Sequence, residues 1–257
     1  MHRRDQIDHA IRLAEDGRTP TEVARITGVP RSTVRDWLQG AVPLNAIPSM
    51  DGECGRCWGP THEFSALPVE YVYVLGLYLG DGCISAHPRG VYRLRIFLDA
   101  EYPGIIDACE AAVHRLCPKN KVARLPGSGG YPNSSPGSNV QISAYWRSWP
   151  CLFPQHGPGR KHERPIRLVD WQRGRLETYP EALLRGLIHS DGCRFINTGR
   201  AWRHPRYAFN NRSADICRIF CDACDVLGLH WTTAPRTVYV SRKADVARLD
   251  EFIGPKA

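Results

Sequence analysis

Two ten-residue stretches 110 positions apart constrain this chain most: Val74–Cys83, VLGLYLGDGC, and Leu184–Cys193, LRGLIHSDGC. Five of the ten aligned positions are identical: Gly, Leu, Asp, Gly and Cys. Gly76 and Gly80 are four apart, and so are Gly186 and Ser190, so each pair shares one face of a helix. Glycine inside a helix costs about 1 kcal/mol relative to alanine. A pair on one face therefore implies a packing reason, the close approach of two backbones. The spacing predicts that the two helices pack on each other across a pseudo-twofold axis, which brings Asp81 and Asp191 together at their C-terminal ends. That is an unfavourable place for carboxylates, because the helix dipole is negative there and the two acids repel each other. Divalent cations between them relieve the strain. Mg²⁺ prefers carboxylate and phosphate oxygens, and metals so placed activate a water and stabilise the leaving oxygen of a phosphodiester.

After each stretch the chain follows one plan. In the first copy VYRLRIFLD alternates, with Leu94, Ile96 and Leu98 on one face and Arg93 and Arg95 on the other, as in a strand with a wet, basic side. YPGIIDACEAAVHRLC is a helix, NKVARL and NVQISAY are strands around the loop Pro126–Ser138, and WRSWPCLF closes the unit. In the second copy CRFIN and RYAFNN flank a loop with Arg200, Arg203 and Arg206, and a helix runs from Ser213 to about Leu227. HWTT and TVYVS are strands, and KADVARLDEFIG is the last helix. The expected order is helix, hairpin, helix, hairpin, helix, twice over, with the join GPGRKHERPIR between the copies.

Ahead of the repeats, Ile7, Ala10, Ile11 and Ala14 recur at helical spacing. In TPTEVARITGVPRSTVRDWLQG, Thr19 or Thr21 caps a second helix, Gly28 permits a turn, and Val23, Val29, Val34 and Trp37 fill a shared core. The helix after the turn leaves Arg31, Ser32, Thr33, Arg35 and Gln39 outward, side chains suited to base edges and phosphates. This segment resembles the helix-turn-helix domains of bacterial regulators and recombinases. Two prolines in VPLNAIPS place its end near Pro43.

The intervening CGRCWGPTH sets Cys54, Cys57 and His62 at the opening spacing of a retroviral-type zinc knuckle. The cysteine that pattern next requires is replaced by Leu67, so the fourth ligand is missing or comes from elsewhere, such as Glu53 or Glu63. Structural zinc and a reduced, metal-free turn both remain open.

The net charge is +8 over 257 residues, with Arg and Lys spread along the length, which favours a polyanionic partner. No apolar run approaches the roughly 18 residues that span a bilayer, and MHRRDQIDHA has no signal-peptide pattern. The ten cysteines in a core-rich chain suggest reduced thiols and a cytoplasmic location. Cys217, Cys221 and Cys224 share one helix face and are expected to pack in a core, and the matched Cys83 and Cys193 to pack symmetrically under the hairpins.

Both glycine-bearing stretches resemble the LAGLIDADG motif of homing endonucleases, and the duplicated plan resembles that family's single-chain, two-repeat form over residues 68–254. The resemblance implies an α+β fold: two pseudo-twofold-related αββαββα repeats (68–155 and 180–257, join 156–179) forming a DNA-binding saddle. A small all-α helix-turn-helix domain (1–42) and a linker (43–67) precede them. It implies a monomer that cleaves both strands of duplex DNA, with Asp81 and Asp191 binding Mg²⁺ and the carbonyls of Gly80 and Ser190 assisting. Arg93, Arg95, Lys121, Arg124, Arg194, Arg206, Arg212 and Arg236 would face DNA. Lys243, Lys121, Asn210 and Asn211 are candidates for the basic or amide group beside the metal. Leu79 and His189 replace the motif's usual sixth residue, an acid that is not the metal ligand, and His189 is expected on the surface or in helix packing. No splicing motifs flank the domain. A regulator that keeps the saddle without cutting is the alternative; presence of both acids favours the nuclease, and the N-terminal helix-turn-helix favours the regulator.

Overall fold

The computed structural model describes residues 4–39, 54, 57, 62–127, 137–199 and 203–254. Glu53, Arg200, the boundary at Pro43 and most of the Pro126–Ser138 loop lie outside them. The chain divides into two compact units, Met1–His62 with Ala86–Val91, and Glu63–Ser85 with Tyr92–Ala257. Among the described residues no helix is long and apolar enough to cross a membrane.

The first unit holds three helices, α1 (Arg4–Glu15), α2 (Pro20–Thr27) and α3 (Arg31–Leu38). Thr19 caps α2 in a capping box with Glu22, and Pro20 takes the first turn, where its missing N–H costs nothing. Gly28 ends the helix at φ +69°, the left-handed conformation that glycine adopts without strain. Ile7, Ala10, Val23, Val29, Val34 and Trp37 form the core, and Ile11 and Ala14, of the same expected apolar set, pack against it half-buried.

The second unit is α+β, with one plan used twice. Helix α4 (Glu70–Asp81) leads into β1 (Gly82–His87) and β2 (Val91–Asp99). Then come α5 (Pro103–Leu116), β3 (Val122–Pro126), β4 (Asn139–Trp146) and a single turn, α6 (Trp149–Leu152). A helix not expected from the sequence, α7 (Asp170–Thr178), lies in the join. Then α8 (Pro180–Asp191), β5 (Gly192–Thr198), β6 (Arg203–Asn210), α9 (Ala214–Val226), β7 (Trp231–Ala234), β8 (Thr237–Val240) and α10 (Lys243–Ile253) repeat the order. Each repeat makes a four-stranded sheet, ordered β1-β2-β4-β3 and β5-β6-β8-β7, with antiparallel pairing in every registered pair.

Helices α4 and α8 form the axis of this unit. From Tyr71 to Leu79, α4 is buried on every side, as expected of a helix that is apolar all round. The glycines set the closeness of the pair. A Cβ added to Gly76 would lie 2.6 Å from the Leu183 carbonyl oxygen and 2.8 Å from the Gly186 Cα. One added to Gly186 would lie 2.2 Å from the Tyr73 carbonyl oxygen. The backbones thus meet where the sequence places its small residues. His189 braces the arrangement from inside: its Nε2 donates to the Ile253 carbonyl at 2.9 Å, so its Nδ1 accepts from the Tyr73 hydroxyl at 2.9 Å. It is a buried packing residue that ties α8 to both α4 and α10.

Strand alternation decides which side chains face the helices. In the first sheet Leu94, Ile96 and Leu98 are buried against them, and Arg93 and Arg95 point to the open side. Arg124 stands opposite Ile142, on the helix side, where it pairs with Asp107 and Glu110 of α5. Arg194 stands opposite Tyr207, again on the helix side, and its guanidinium grips Asp250 of α10 at 2.7 and 2.9 Å. Both arginines were expected to face DNA; both instead clamp a helix to its sheet, because an even or odd offset from the buried residues fixes their side. The matched cysteines also depart from expectation. Cys193 is exposed and Cys83 half-buried, both on the open side of their strands, not packed beneath the hairpins. Cys221 and Cys224 are buried in the core of α9, and burial pushes the Cys221 thiol up to about 11.

Candidate nucleic-acid and metal site

The C-terminal tips of α4 and α8 open into one cleft of about 1140 Å³. Asp81 and Asp191 both line it, together with Gly80, Asn210, Asn211, Arg212 and the join residues Arg160, Lys161, His162 and Arg164. The tips are close: a Cβ on Gly80 would come within 2.9 Å of Asp191 Oδ2 and 2.2 Å of Ser190 Oγ. Asn211 Nδ2 donates to Asp191 Oδ2 at 2.7 Å, and Asn211 Oδ1 accepts the Ser213 backbone N–H at 2.8 Å, which fixes the amide's orientation. Asn210 lines the cleft as well, with its amide bonded to Thr237 Oγ1 at 2.9 Å. Lys121 and Lys243, candidates for the same role, do not line it: Lys121 precedes β3 and Lys243 opens α10.

The residue that takes the basic position is Lys161, which the sequence did not single out. Its ammonium donates to three backbone carbonyls at the end of α4: Tyr78, Gly80 at 2.8 Å and Gly82 at 2.8 Å. The Tyr78 carbonyl already accepts the Gly82 N–H, but the carbonyls of the last helical turn carry the negative end of the dipole, so a cation there is favourable. The ammonium also lies 5.1 Å from the Tyr78 ring centroid. Burial pulls its pKa down to about 8, against the opposing pull of Asp81 and Asp191. The one local signal is that GPGRKHERP is basic and punctuated by glycine and proline.

The cleft runs onto the open sheet faces at Cys83, Phe97 and Asn210. Those faces carry arginines already held in place. Arg93 Nε donates to Ser143 Oγ at 2.7 Å and its guanidinium lies 5.3 Å from the Tyr145 ring. Arg206 Nε donates to Ser241 Oγ at 2.7 Å and lies 4.7 Å from the Tyr239 ring. Arg95 lies 6.0 Å from the Phe97 ring. Arg236 occupies the β7–β8 turn at φ +63°, and its carbonyl accepts the Asn211 N–H at 3.0 Å. Hydroxyl and ring contacts of this kind reduce the entropy lost when a guanidinium meets a phosphate.

In the first unit Arg31, Ser32, Arg35 and Gln39 are exposed on or just past α3 and Thr33 is half-buried, as expected of a helix that presents one polar face. Also in that unit, the ligand atoms of Cys54, Cys57 and His62 all lie within 4.8 Å of one another, with Cys57 Sγ 3.2 Å from His62 Nε2. Burial lowers the His62 pKa, which favours the neutral, ligating imidazole.

The homeodomain-like domain family matches residues 6–41. No curated protein matches the chain. Among solved structures, the N-terminal LAGLIDADG domain of DUF199/WhiA is 16% identical over 75% of this chain and 89% of that one, with a TM-score of 0.42. Full-length DUF199/WhiA from Thermatoga maritima is 14% identical over 75% of this chain and 59% of its own, with a TM-score of 0.44. The homing endonuclease I-WcaI bound to its DNA recognition sequence is 11% identical over 73% and 81%, with a TM-score of 0.45.

Proposed function

We propose that this chain is a site-specific, double-stranded DNA endonuclease of the LAGLIDADG type, acting as a monomer, with the helix-turn-helix as a second grip on its target. The observation that carries this reading is the meeting of Asp81 and Asp191 in one basic cleft continuous with sheet faces that bear oriented arginines. The donor set suits a hard divalent cation, since two carboxylates converge where two helix dipoles already concentrate negative charge. Mg²⁺ bound there would supply the Lewis acidity and the lowered water pKa that phosphodiester hydrolysis needs. The residues of the chain do the rest: arginines of the open faces hold the duplex, and Asn211 orients the Asp191 carboxylate.

One observation favours the second reading, a regulator that binds without cutting. The Gly80 carbonyl, expected to assist a metal, is engaged by Lys161. Selection of bound duplexes from a random pool, followed by incubation of the winners with Mg²⁺, separates the two. Cutting at one sequence supports the nuclease; tight, metal-independent binding with no cutting supports the regulator; no enrichment at all removes both.

The open-face assignment gives a sharper expectation. Affinity for a selected duplex should fall roughly 10³-fold between about 50 and 200 mM salt. Arg93→Ala or Arg206→Ala should each reduce the log–log salt slope by about one. Arg124→Ala and Arg194→Ala should leave the slope unchanged and lower the melting temperature instead, because their partners are Asp107, Glu110 and Asp250. Equal slopes for all four variants would count against the assignment.

We further infer that Cys54, Cys57 and His62 hold structural zinc. Protein purified without added metal should contain about one zinc per chain by atomic absorption, and Cys57→Ser should lose most of it. Wild-type protein with almost none would show the turn to be metal-free.

A further inference from the structure

We propose that the pocket between α9 and the β7–β8 hairpin binds a small aromatic anion, one or two flat rings bearing a carboxylate or a comparable acid, and that its occupant reaches the paired acids through Asn211. The pocket encloses about 290 Å³, near the lower end of the range for small-molecule sites. Cys217, Trp231 and Val238 give it apolar walls. Burial is the main reason that the Cys217 thiol titrates above its ordinary range, so this wall is neutral. The Trp231 indole is fixed for stacking, because its Nε1 donates to Asp225 Oδ1 at 2.7 Å. Three arginines, Arg212, Arg218 and Arg236, line the same pocket, and among the described residues no carboxylate does. Apolar walls with a cationic rim match a ligand that is flat and apolar over most of its surface and negative at one edge. A bare inorganic anion would leave the walls unused, and a neutral ring would leave the guanidiniums unpaired.

The pocket shares a wall with the acid cleft, since Asn211 and Arg212 line both. Two pocket residues hold the backbone of Asn211. Its N–H donates to the Arg236 carbonyl at 3.0 Å, and its carbonyl accepts the Cys217 thiol at 3.5 Å. Its side chain is the one that donates to Asp191 Oδ2 at 2.7 Å. A ligand that presses on Cys217 or draws on Arg236 therefore acts on the carboxylate through a single residue.

The test uses the full chain without DNA or metal, so its outcome is separate from that of the nuclease reading. Indole-3-acetate and its neutral analogue indole-3-acetamide are each titrated against the protein, and binding is followed in assigned ¹H–¹⁵N spectra. The acetate is expected to bind with a dissociation constant of roughly 1 mM or tighter and about tenfold more tightly than the amide. The amides of Cys217, Thr233 and Asn211, including the Asn211 side chain, should move together. Arg236→Asn removes a guanidinium while asparagine tolerates the left-handed backbone at φ +63°, and it should abolish most of the preference for the acetate. Ala214→Trp, at an exposed position on the rim, should fill the pocket and prevent binding; Thr233→Trp does so from the strand side in case the first variant does not fold. The proposal is overturned if the acetate does not bind, if acetate and amide bind equally, if both filled variants bind as wild type does, or if the shifts centre on Lys161 in the cleft. Binding that leaves the Asn211 signals unmoved overturns the link to the paired acids.

Discussion

Gly186→Ala is expected to melt roughly 5–10 °C below wild type, although alanine is the better helix former. In an unconstrained helix the exchange would gain about 1 kcal/mol. At Gly186 the new methyl would sit 2.2 Å from the Tyr73 carbonyl oxygen and 3.0 Å from the Gly76 Cα and the Leu77 nitrogen, all backbone atoms of α4. Backbone cannot rotate aside as a side chain can, so the helices must part and every layer between them loosens. Overpacking of this kind costs typically 1–3 kcal/mol and at times more, and at this chain length each kcal/mol is worth about 2–4 °C. Gly174 is the internal comparison. It lies within α7, where an added Cβ meets nothing within 4 Å, so Gly174→Ala should raise the melting temperature slightly. Gly186→Ala melting at or above wild type would mean that the glycines are not there for close approach.

That pair of positions also shows what the sequence could convey. Glycine spacing is a local pattern with one strong physical cause, so the helix contact and the meeting of the acid tips follow from two short stretches. Strand alternation conveys less. It separates Arg93 and Arg95 from Leu94 and Ile96 within one strand. For Arg124 and Arg194 the side is set by register against Ile142 and Tyr207, and the ion pairs with α5 and α10 are long-range. Lys161 was the least legible. Its partners are backbone carbonyls about 80 residues away, and a carbonyl has no residue identity to recognise in a sequence. Helix α7 is hard to read for a related reason: DWQRGRLET has a glycine inside and only a weak apolar stripe, and it is anchored by a polar contact, Gln172 Nε2 to the Tyr71 hydroxyl at 2.7 Å.

Asp191→Asn and Asp81→Asn are expected to reduce strand cutting by about 10³ or more while leaving duplex affinity unchanged or slightly higher. An amide keeps the shape of the carboxylate, and at Asp191 its oxygen can still accept from Asn211 Nδ2, so the local fold is retained. What is lost is the negative charge that would hold a divalent cation against a phosphodiester. A transition-state contribution of about 4 kcal/mol from such an ion corresponds to roughly three powers of ten in rate. Affinity moves the other way, if at all, because a carboxylate facing a polyanion opposes binding. The residue after β6, Asn211, holds the Asp191 carboxylate, whereas the residue after β2 is Ala100, which has no side-chain donor, so the two strands should be cut at unequal rates. On a supercoiled plasmid that carries the selected site, open circle should therefore accumulate before linear product. Variants that still cut within tenfold of wild type would move the chemistry away from these acids and leave the paired tips a structural feature of a DNA-binding fold.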